Sequence, residues 1–288
     1  MRIAILGNGG FGTAMALTLE RANHDVSMWG HDATYTASIG ASRQNPRYLA
    51  NVTLPDPIRV SSDAALVLDR AEVILVAVPT QHIRAVLSGM LDSLGGDVPI
   101  VSLAKGLEQA TSMRPSEIIA EVVASKARAF ALSGPSHAEE IAHGQPTTVV
   151  VAGDGDEALK SLQMALQTDR FRVYRNADIL GVELCGALKN VMALAAGIAD
   201  GLGYGDNAKA AILSRGLVEM QRYGLACGAD PSTFFGLAGV GDLAVTAFSS
   251  HGSNRAFGER IGKGETLEQA LQSSPKVAEG VWTAKVLA

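Results

Sequence analysis

One lysine stands inside a long apolar stretch of this sequence, where a charged side chain is unusual. Helical periodicity places Leu184 and Leu188 on an apolar stripe that excludes Lys189. Its neighbours one turn away are Gly186, Cys185, Met192 and Ala193, so no carboxylate lies there to form an ordinary helix ion pair. Lys189 is therefore either a solvated surface residue or a buried ammonium group that can transfer a proton. The scarcity of other charges around it favours burial.

A glycine-rich turn near the N-terminus has the spacing of a dinucleotide-binding loop. It lies between a short apolar run, which predicts a buried strand, and a pattern that predicts a helix. Gly7 permits the tight turn, Gly9 lets the backbone approach a pyrophosphate, and Gly12 lets the helix pack on the strand. Gly10 and Phe11 complete the loop, and the helix N-terminus offers N–H groups to the phosphates.

The end of the second predicted strand, 25–29, bears on the choice between NAD and NADP. An acidic residue there would hold the ribose 2′-hydroxyl of NAD, but this sequence has Gly30. His31 follows and could face a 2′-phosphate, or it could be an exposed turn residue. Asp32 would favour NAD if it turned inward. The sequence therefore allows both cofactors, with a preference for NADP.

Polar residues follow several of the next predicted strands, at the edge where a doubly wound sheet binds its ligands. Lys105 comes after the strand 99–102, and it is either an exposed loop lysine or a cation for an anionic ligand. Ser136 comes after the strand 129–132, and with Glu139 it forms a predicted capping box, which is compatible with an anion site. Residues 34–56 predict a helix and then a loop.

From residue 178 onward the pattern is helical, so we predict two domains. Residues 1–177 form an α/β Rossmann domain with a doubly wound, mostly parallel sheet, and residues 178–288 form an all-helical domain. Asp242 follows a glycine-rich loop at a helix start, where it is either only an N-cap or a functional carboxylate.

Bulk properties exclude several classes of protein. A chain of 288 residues with a net charge of −5 lacks the basic balance of a non-specific nucleic-acid binder. Two cysteines make no disulfide framework, and there is no His/Cys/Asp cluster for a metal. We find no signal peptide and no apolar run long enough to span a membrane. These features predict a cytoplasmic protein without a resident metal.

The assembled motifs resemble NAD(P)-dependent glycerol-3-phosphate dehydrogenase of the bacterial type, over nearly the whole chain. The motif around Lys189, GVELCGALKNV at 181–191, is the most specific of them. The others are GNGGFGTA at 7–14, AKGL at 104–107, SGPS at 133–136, SRGL at 214–217, GVGDL at 239–243 and AEG at 278–280.

This resemblance implies a reaction and a role for each matching residue. Hydride would move reversibly between NAD(P)H and dihydroxyacetone phosphate, giving sn-glycerol 3-phosphate for phospholipid synthesis. Lys189 would be the proton donor or acceptor, with Lys105 and Asp242 beside it. The substrate would also contact Gly134, Ser136, Gly252, Ser253 and Asn254. Besides the glycine loop with Phe11, the cofactor would contact His31, Lys105, Ala138, Ser253, Val277 and Glu279. A homodimer is a further expectation, and the sequence does not fix the oligomeric state.

Three departures from the family pattern are present. Ser253 stands where the family has an arginine that binds the substrate phosphate and the cofactor, and Arg255 is the nearest cation in the sequence. Phe11 replaces a tryptophan, and the chain ends several helices early, which predicts a truncated C-terminus. Two alternatives stay open: a β-hydroxyacid dehydrogenase or ketopantoate-type reductase, and a dinucleotide-binding sensor that has lost catalysis.

Overall fold

The computed structural model describes residues 1–124, 128–249, 252–273 and 279–288. Its strands are β1 Arg2–Leu6, β2 Asp25–Trp29, β3 Gln44–Asn45, β4 Leu49–Thr53, β5 Arg59–Ser61, β6 Val73–Val76, β7 Ile100–Ser102, β8 Ala129–Ser133, β9 Thr147–Ala152 and β10 Phe171–Asn176. Its helices begin with α1 Gly10–Arg21, α2 Ala33–Ser42, α3 Ala64–Leu68, α4 Thr80–Ser88, α5 Pro115–Val123, α6 Ala138–Ala142 and α7 Asp156–Leu166. They continue with α8 Ile179–Gly201, α9 Asp206–Ala226, α10 Asp242–Phe248, α11 Ser253–Gly262, α12 Leu267–Gln272 and α13 Glu279–Leu287.

Eight strands form one sheet in the order β10-β9-β8-β7-β6-β1-β2-β5. Neighbouring strands are parallel except β8 and β9, which run antiparallel. The chain builds outward from β1 through β2 to β5 and then returns to place β6 on the other side of β1. This reversal creates a crevice at the carboxyl ends of β1 and β6, where doubly wound sheets bind ligands. The predicted fold class, a mostly parallel Rossmann-like sheet followed by a helical region, is confirmed.

Helices cover both faces of this sheet, which explains why its central strands are apolar throughout. Successive side chains of a strand point to opposite faces. Ile3 and Ile5 therefore join the core cluster that contains Met15 of α1, whereas Leu6 joins the cluster on the opposite face with Ile83 of α4.

The segment after α2 forms a hairpin where the sequence predicts a loop. β3 and β4 pair antiparallel, with Gln44 opposite Thr53 and Asn45 opposite Leu49. The hairpin escaped prediction because β3 has only two residues and Pro46 interrupts the run. Tertiary contacts support it, since Asn45 is buried and its side-chain amide donates to the backbone oxygen of Asn8 at 2.8 Å.

The long helix α8 is the centre of the helical region and packs against α9, α10, α11 and α13. Its contact with α11 is very close, because a Cβ on Gly197 would lie 2.0 Å from the backbone oxygen of Arg255. By length and composition α8 could cross a membrane, with a mean hydropathy of 1.6 over an 18-residue window. However, 67% of that window is buried inside the protein, as in the core helix of a globular fold.

Candidate active site

The glycine loop has the shape that a dinucleotide pyrophosphate requires. Gly7 has a φ of +126°, and a Cβ there would lie 2.8 Å from the carbonyl carbon of Ala77, at the end of β6. A Cβ on Gly12 would lie 2.0 Å from the backbone oxygen of Gly7. Helix α1 can therefore pack this close to β1 only if residue 12 is glycine. Gly9 faces open space, and no side chain caps the N-terminus of α1. The loop therefore fits a phosphate group that the α1 N–H groups can bind.

A carboxylate placed between two ammonium groups forms the centre of the site. Asp242, which is 1% exposed, accepts a hydrogen bond from Lys189 Nζ at 2.9 Å and one from Lys105 Nζ at 2.7 Å. Lys189 is buried as well, at 6% exposure, so the buried alternative for this lysine is confirmed. Asp242 is the first residue of α10, and its side chain does not cap that helix. The interpretation of Asp242 as only an N-cap is therefore wrong.

Three secondary-structure elements bring these groups together. Asp178 caps the start of α8 by accepting from the Gly181 N–H at 2.8 Å, and α8 then carries Lys189 to the ends of the strands. A π-helical turn, Leu237–Gly241, leads directly into α10 and delivers Asp242. Lys105 comes from the loop after β7. Its side chain passes beside Gly186 of α8, where a Cβ would lie 3.3 Å from Lys105 Cγ.

The surroundings of Lys189 lower the pKa of its ammonium group to about 8. Burial is the main cause, since desolvation disfavours the charged form, whereas the nearby Asp242 carboxylate opposes the shift. For Asp242 itself, burial alone would raise the pKa, but the charges of Lys105 and Lys189 together lower it below its usual value. Asp242 therefore stays ionised, while Lys189 can exchange a proton near neutral pH.

A cleft of about 230 Å³ opens beside this centre. It is lined by Lys105, Lys189 and by seven other predicted site residues, which are Phe11, Ser136, Ala138, Gly252, Ser253, Asn254 and Glu279. Gly134 contributes its carbonyl, which accepts from Lys105 Nζ at 2.9 Å. His31 is exposed and lies away from this cleft, at the end of β2. Val277 is outside the described residues, so its predicted contact with the cofactor stays untested.

The predicted capping box of Ser136 and Glu139 is wrong. Helix α6 begins at Ala138, with His137 as its N-cap residue and no side-chain cap. Ser136 instead donates to the Gly134 carbonyl at 2.8 Å and accepts from Lys105 Nζ at 3.3 Å. A tertiary contact with Lys105, which is only partly buried, has therefore replaced the local helix cap, and it gives the Lys105 ammonium group a third hydrogen-bond acceptor.

Sequence reasoning missed two polar residues of the site, Thr246 and Asn190, and it placed Thr80 at the cofactor edge without its contact to Glu279. Thr246 accepts a hydrogen bond from Lys189 Nζ at 2.6 Å, and Asn190 donates to the backbone oxygen of Lys105 at 2.8 Å. Thr80 donates to Glu279 Oε1 through its N–H at 3.0 Å and through its hydroxyl at 3.2 Å. The position of Thr246, one helical turn after Asp242, was a signal that could have found it. The contact of Thr80 with Glu279 becomes visible only once α4 and α13 meet in the fold.

The cation nearest to Ser253 in the sequence is engaged elsewhere. Arg255 donates from Nη1 to Asp200 at 2.7 Å and to Glu259 at 3.2 Å, and it does not line the cleft. Ser253 does line the cleft, at the first turn of α11. Next to it, Asn254 Oδ1 accepts from the Gly280 N–H at 3.0 Å. The cleft therefore meets α11 through small polar groups and backbone.

Comparison with known proteins assigns both halves of the chain. The family model for the N-terminus of NAD-dependent glycerol-3-phosphate dehydrogenase matches residues 2–159. The model for the C-terminus of the same family matches residues 178–288. A glycerol-3-phosphate dehydrogenase [NAD(P)+] of Chlorobium phaeobacteroides is 47% identical over 289 residues, covering 100% of this chain and 86% of that protein.

Solved structures agree with this assignment. A crystal structure of glycerol-3-phosphate dehydrogenase from Coxiella burnetii superposes with a TM-score of 0.94 at 36% identity, covering 99% of this chain and 87% of that one. A ketopantoate reductase from Ralstonia eutropha reaches a TM-score of 0.56 at 17% identity, covering 100% of this chain and 97% of that one, and shares the fold alone. Two family matches that together span most of the chain, and a relative at nearly half identity, show that this chain belongs to the NAD-dependent glycerol-3-phosphate dehydrogenase family.

Proposed function

We propose that this chain catalyses reversible hydride transfer between NAD(P)H and dihydroxyacetone phosphate, giving sn-glycerol 3-phosphate. The observation that carries the proposal is the Lys189–Asp242–Lys105 arrangement, with Lys189 and Asp242 buried, beside a cleft that meets the glycine loop at Phe11. The family of the chain and the NAD(P)+ named for its relatives support the same reaction.

Lys189 is suited to move the proton of this reaction. The bound nicotinamide supplies or accepts the hydride, and the carbonyl oxygen of the ketone gains negative charge as it is reduced. The Lys189 ammonium group can neutralise that charge and donate a proton, and the neutral amine can take the proton back in the reverse direction. Asp242 and Thr246 hold Nζ by hydrogen bonds at 2.9 and 2.6 Å, so the ammonium group is oriented before substrate arrives.

The remaining cleft residues suit an anionic substrate. The Lys189–Asp242–Lys105 cluster has two ammonium groups and one carboxylate, and burial raises the pKa of Glu279, the further carboxyl group that lines the cleft. Lys105, steadied by Ser136 and the Gly134 carbonyl, is the cation for the substrate. Gly252, Ser253 and Asn254 begin α11, where backbone N–H groups can bind a phosphate. In this proposal Phe11, Ala138 and Glu279 border the cofactor.

The wider biological role rests on the same family. We propose that the product supplies glycerol phosphate for phospholipid synthesis in the cytoplasm. A reducing compartment suits the chain, because Cys185 and Cys227 are both free and Cys227 is exposed. A homodimer stays a prediction, which sedimentation of the purified protein would test.

The experiment that tests the proposed function is oxidation of NADPH and of NADH with and without dihydroxyacetone phosphate. Oxidation that depends on this substrate supports the proposal. Oxidation that requires a 2-keto acid without a phosphate would favour the ketopantoate-type alternative. Dinucleotide binding without turnover of any ketone would favour the sensor alternative. The reasons to consider that alternative are that Ser253 is neutral and that Arg255 is paired with Asp200.

A further inference from the structure

We propose that Arg47, on the turn of the β3–β4 hairpin, selects NADPH by binding the 2′-phosphate of its adenosine ribose. This inference rests on the proposed function, because it assumes that a nicotinamide dinucleotide occupies the glycine loop. It assigns a role to a residue that lies outside the motifs discussed above.

The hairpin is fastened to the glycine loop. The Asn45 side-chain amide donates to the backbone oxygen of Asn8 and to Thr13 Oγ1, at 2.8 Å in both cases. The backbone oxygen of Tyr48, on the turn itself, lies close to Gly10. A Cβ on Gly10 would be only 2.8 Å from this oxygen. The turn therefore stands beside the start of α1, on the side of β1 and β2. In this fold that side binds the ribose next to adenine.

The usual acidic ligand of NAD cannot stand at the end of β2. A Cβ on Gly30 would lie 2.1 Å from Asn8 Nδ2 and 2.3 Å from Thr36 Oγ1. Those two groups are buried and hydrogen-bonded to each other at 3.0 Å, so neither can move away cheaply. Only glycine fits at this position. The strand thus ends without a carboxylate for the ribose 2′-hydroxyl.

The carboxylate of the next acidic residue, Asp32, already has a hydrogen-bond donor and a cation as partners. Its Oδ1 accepts from the Tyr35 N–H at 2.9 Å and caps α2, while its Oδ2 lies 3.5 Å from Arg47 Nη1. These contacts hold the carboxylate at the start of α2. Asp32 therefore serves as a helix cap that also steadies Arg47, and the alternative in which it turns inward toward NAD is disfavoured.

Arg47 is held in a geometry that suits a phosphate. Its guanidinium carbon lies 4.1 Å from the centre of the Tyr35 ring, and its side chain is 53% exposed. The Tyr35 hydroxyl donates to Asn45 at 2.6 Å and accepts from the Arg47 N–H at 3.0 Å, which fixes the ring beneath the guanidinium. A stacked guanidinium presents a planar set of donors that matches phosphate oxygens.

The ion pair that faces this position is weak enough for an added anion to replace it. Arg47 and Asp32 cancel each other, and exposed pairs of this kind contribute little stability. His31, exposed at the end of β2, is the remaining titratable side chain of the β2–α2 turn. A phosphate with nearly two negative charges can therefore displace the weak Asp32 contact and gain a charge-assisted pair with Arg47.

The test compares Arg47→Gln with the control Arg59→Gln. Arg59 is another exposed arginine of the same domain, paired with Asp25 at 2.6 Å, so the control removes an equal charge elsewhere. The first readout is the Kd of adenosine 2′,5′-bisphosphate and of 5′-AMP, measured by calorimetry without turnover. We expect Arg47→Gln to weaken the bisphosphate about tenfold or more, the scale of one lost charge-assisted contact. Binding of 5′-AMP should change less than threefold, and Arg59→Gln should match the parent chain.

The second readout is kcat/KM for NADPH and for NADH with dihydroxyacetone phosphate. Arg47→Gln should lower the value for NADPH and spare NADH, and Arg47→Lys should recover part of the loss. Asp32→Asn keeps the helix cap and removes the competing charge, so it should tighten the bisphosphate. Equal losses for both nucleotides, or no loss for either, would overturn the proposal. If the parent chain binds the bisphosphate selectively but turns over no ketone, the proposed reaction fails while the role of Arg47 stands.

Discussion

Among single residues, Lys189 is the one on which the proposed reaction depends most directly. Lys189→Ala removes the proton donor but leaves the glycine loop intact, so we expect kcat to fall by about 10²-fold or more while the dinucleotide still binds. The control is Lys263→Ala, because Lys263, which follows α11, is 61% exposed and lies outside the cleft. Steady-state turnover and calorimetric binding of NADPH measure the two effects. Turnover that survives in Lys189→Ala would assign the proton to another group.

The protonation state of Lys189 gives the reaction a definite pH dependence. Reduction of the ketone needs the ammonium form, and burial places its pKa at about 8. The rate of reduction should therefore fall as the pH rises through this value. The rate of oxidation should rise over the same range, because the neutral amine accepts the proton. Profiles of kcat/KM in both directions would show this crossing, and two parallel profiles would contradict it.

The Asp242 carboxylate opposes the effect of burial on Lys189. Asp242→Asn removes a negative charge 2.9 Å from Nζ, so the pKa of Lys189 should fall further. We expect the alkaline limb of the reduction profile to move to lower pH. Thr246→Val serves as the control, because it removes a hydrogen bond to the same nitrogen without removing a charge. A limb that moves equally in both variants would show that hydrogen bonding, and not charge, sets the pKa.

At the scale of elements, the close contact of α8 with α11 determines the width of the cleft. Gly197→Ala would place a Cβ 2.0 Å from the backbone oxygen of Arg255 and would force the helices apart. Overpacking of this kind costs about 1–3 kcal/mol of unfolding free energy. Because α8 carries Lys189 and α11 carries Ser253, KM for the ketone should rise as well. Gly96→Ala is the control, since a Cβ there meets nothing within 4 Å.

Sequence patterns predicted the elements that local signals define. The helical pattern predicted from residue 178 onward and the observed start of α8 at Ile179 agree because Asp178 caps the helix and the apolar pattern is long. The glycine loop was also found, since its spacing follows from the shape of the turn. The β3–β4 hairpin was missed and the Ser136 capping box was wrong. In both cases distant groups, Asn8 and Lys105, determine the local conformation.

The site itself shows the same limit. Periodicity identified Lys189 as unusual. Lys105 was a candidate site residue because it follows β7. Neither pattern could predict that both lysines contact one carboxylate, because Asp242 lies 53 residues from Lys189 and 137 from Lys105 in the sequence. The family resemblance placed Asp242 beside the substrate, but its place between the two ammonium groups becomes clear only in the fold.

At the scale of the whole molecule, an ion pair with a buried carboxylate joins the sheet domain to the helical region. Glu183 of α8 accepts from Arg114 Nη1 at 2.6 Å and from the Ser116 N–H at 2.7 Å, both at the start of α5. Glu183→Ala leaves the buried Ser116 N–H without its acceptor and removes one of the two carboxylate partners of Arg114, so unfolding free energy should fall by about 1–3 kcal/mol. Glu117→Ala removes the exposed partner of the same arginine and should cost about 1 kcal/mol or less. Urea unfolding of both variants would measure the difference.

The apolar character of α8 has a consequence for the chain before it has folded. When the unfolded chain leaves the ribosome, the segment that will form α8 has the length and hydropathy of segments that insert into membranes. Lys189 lies near its midpoint, where a charged side chain opposes insertion into lipid by about 3 kcal/mol. Glu183 adds a second charge to the same segment. The lysine proposed for proton transfer thus also makes this segment less favourable in lipid than its apolar neighbours alone would make it.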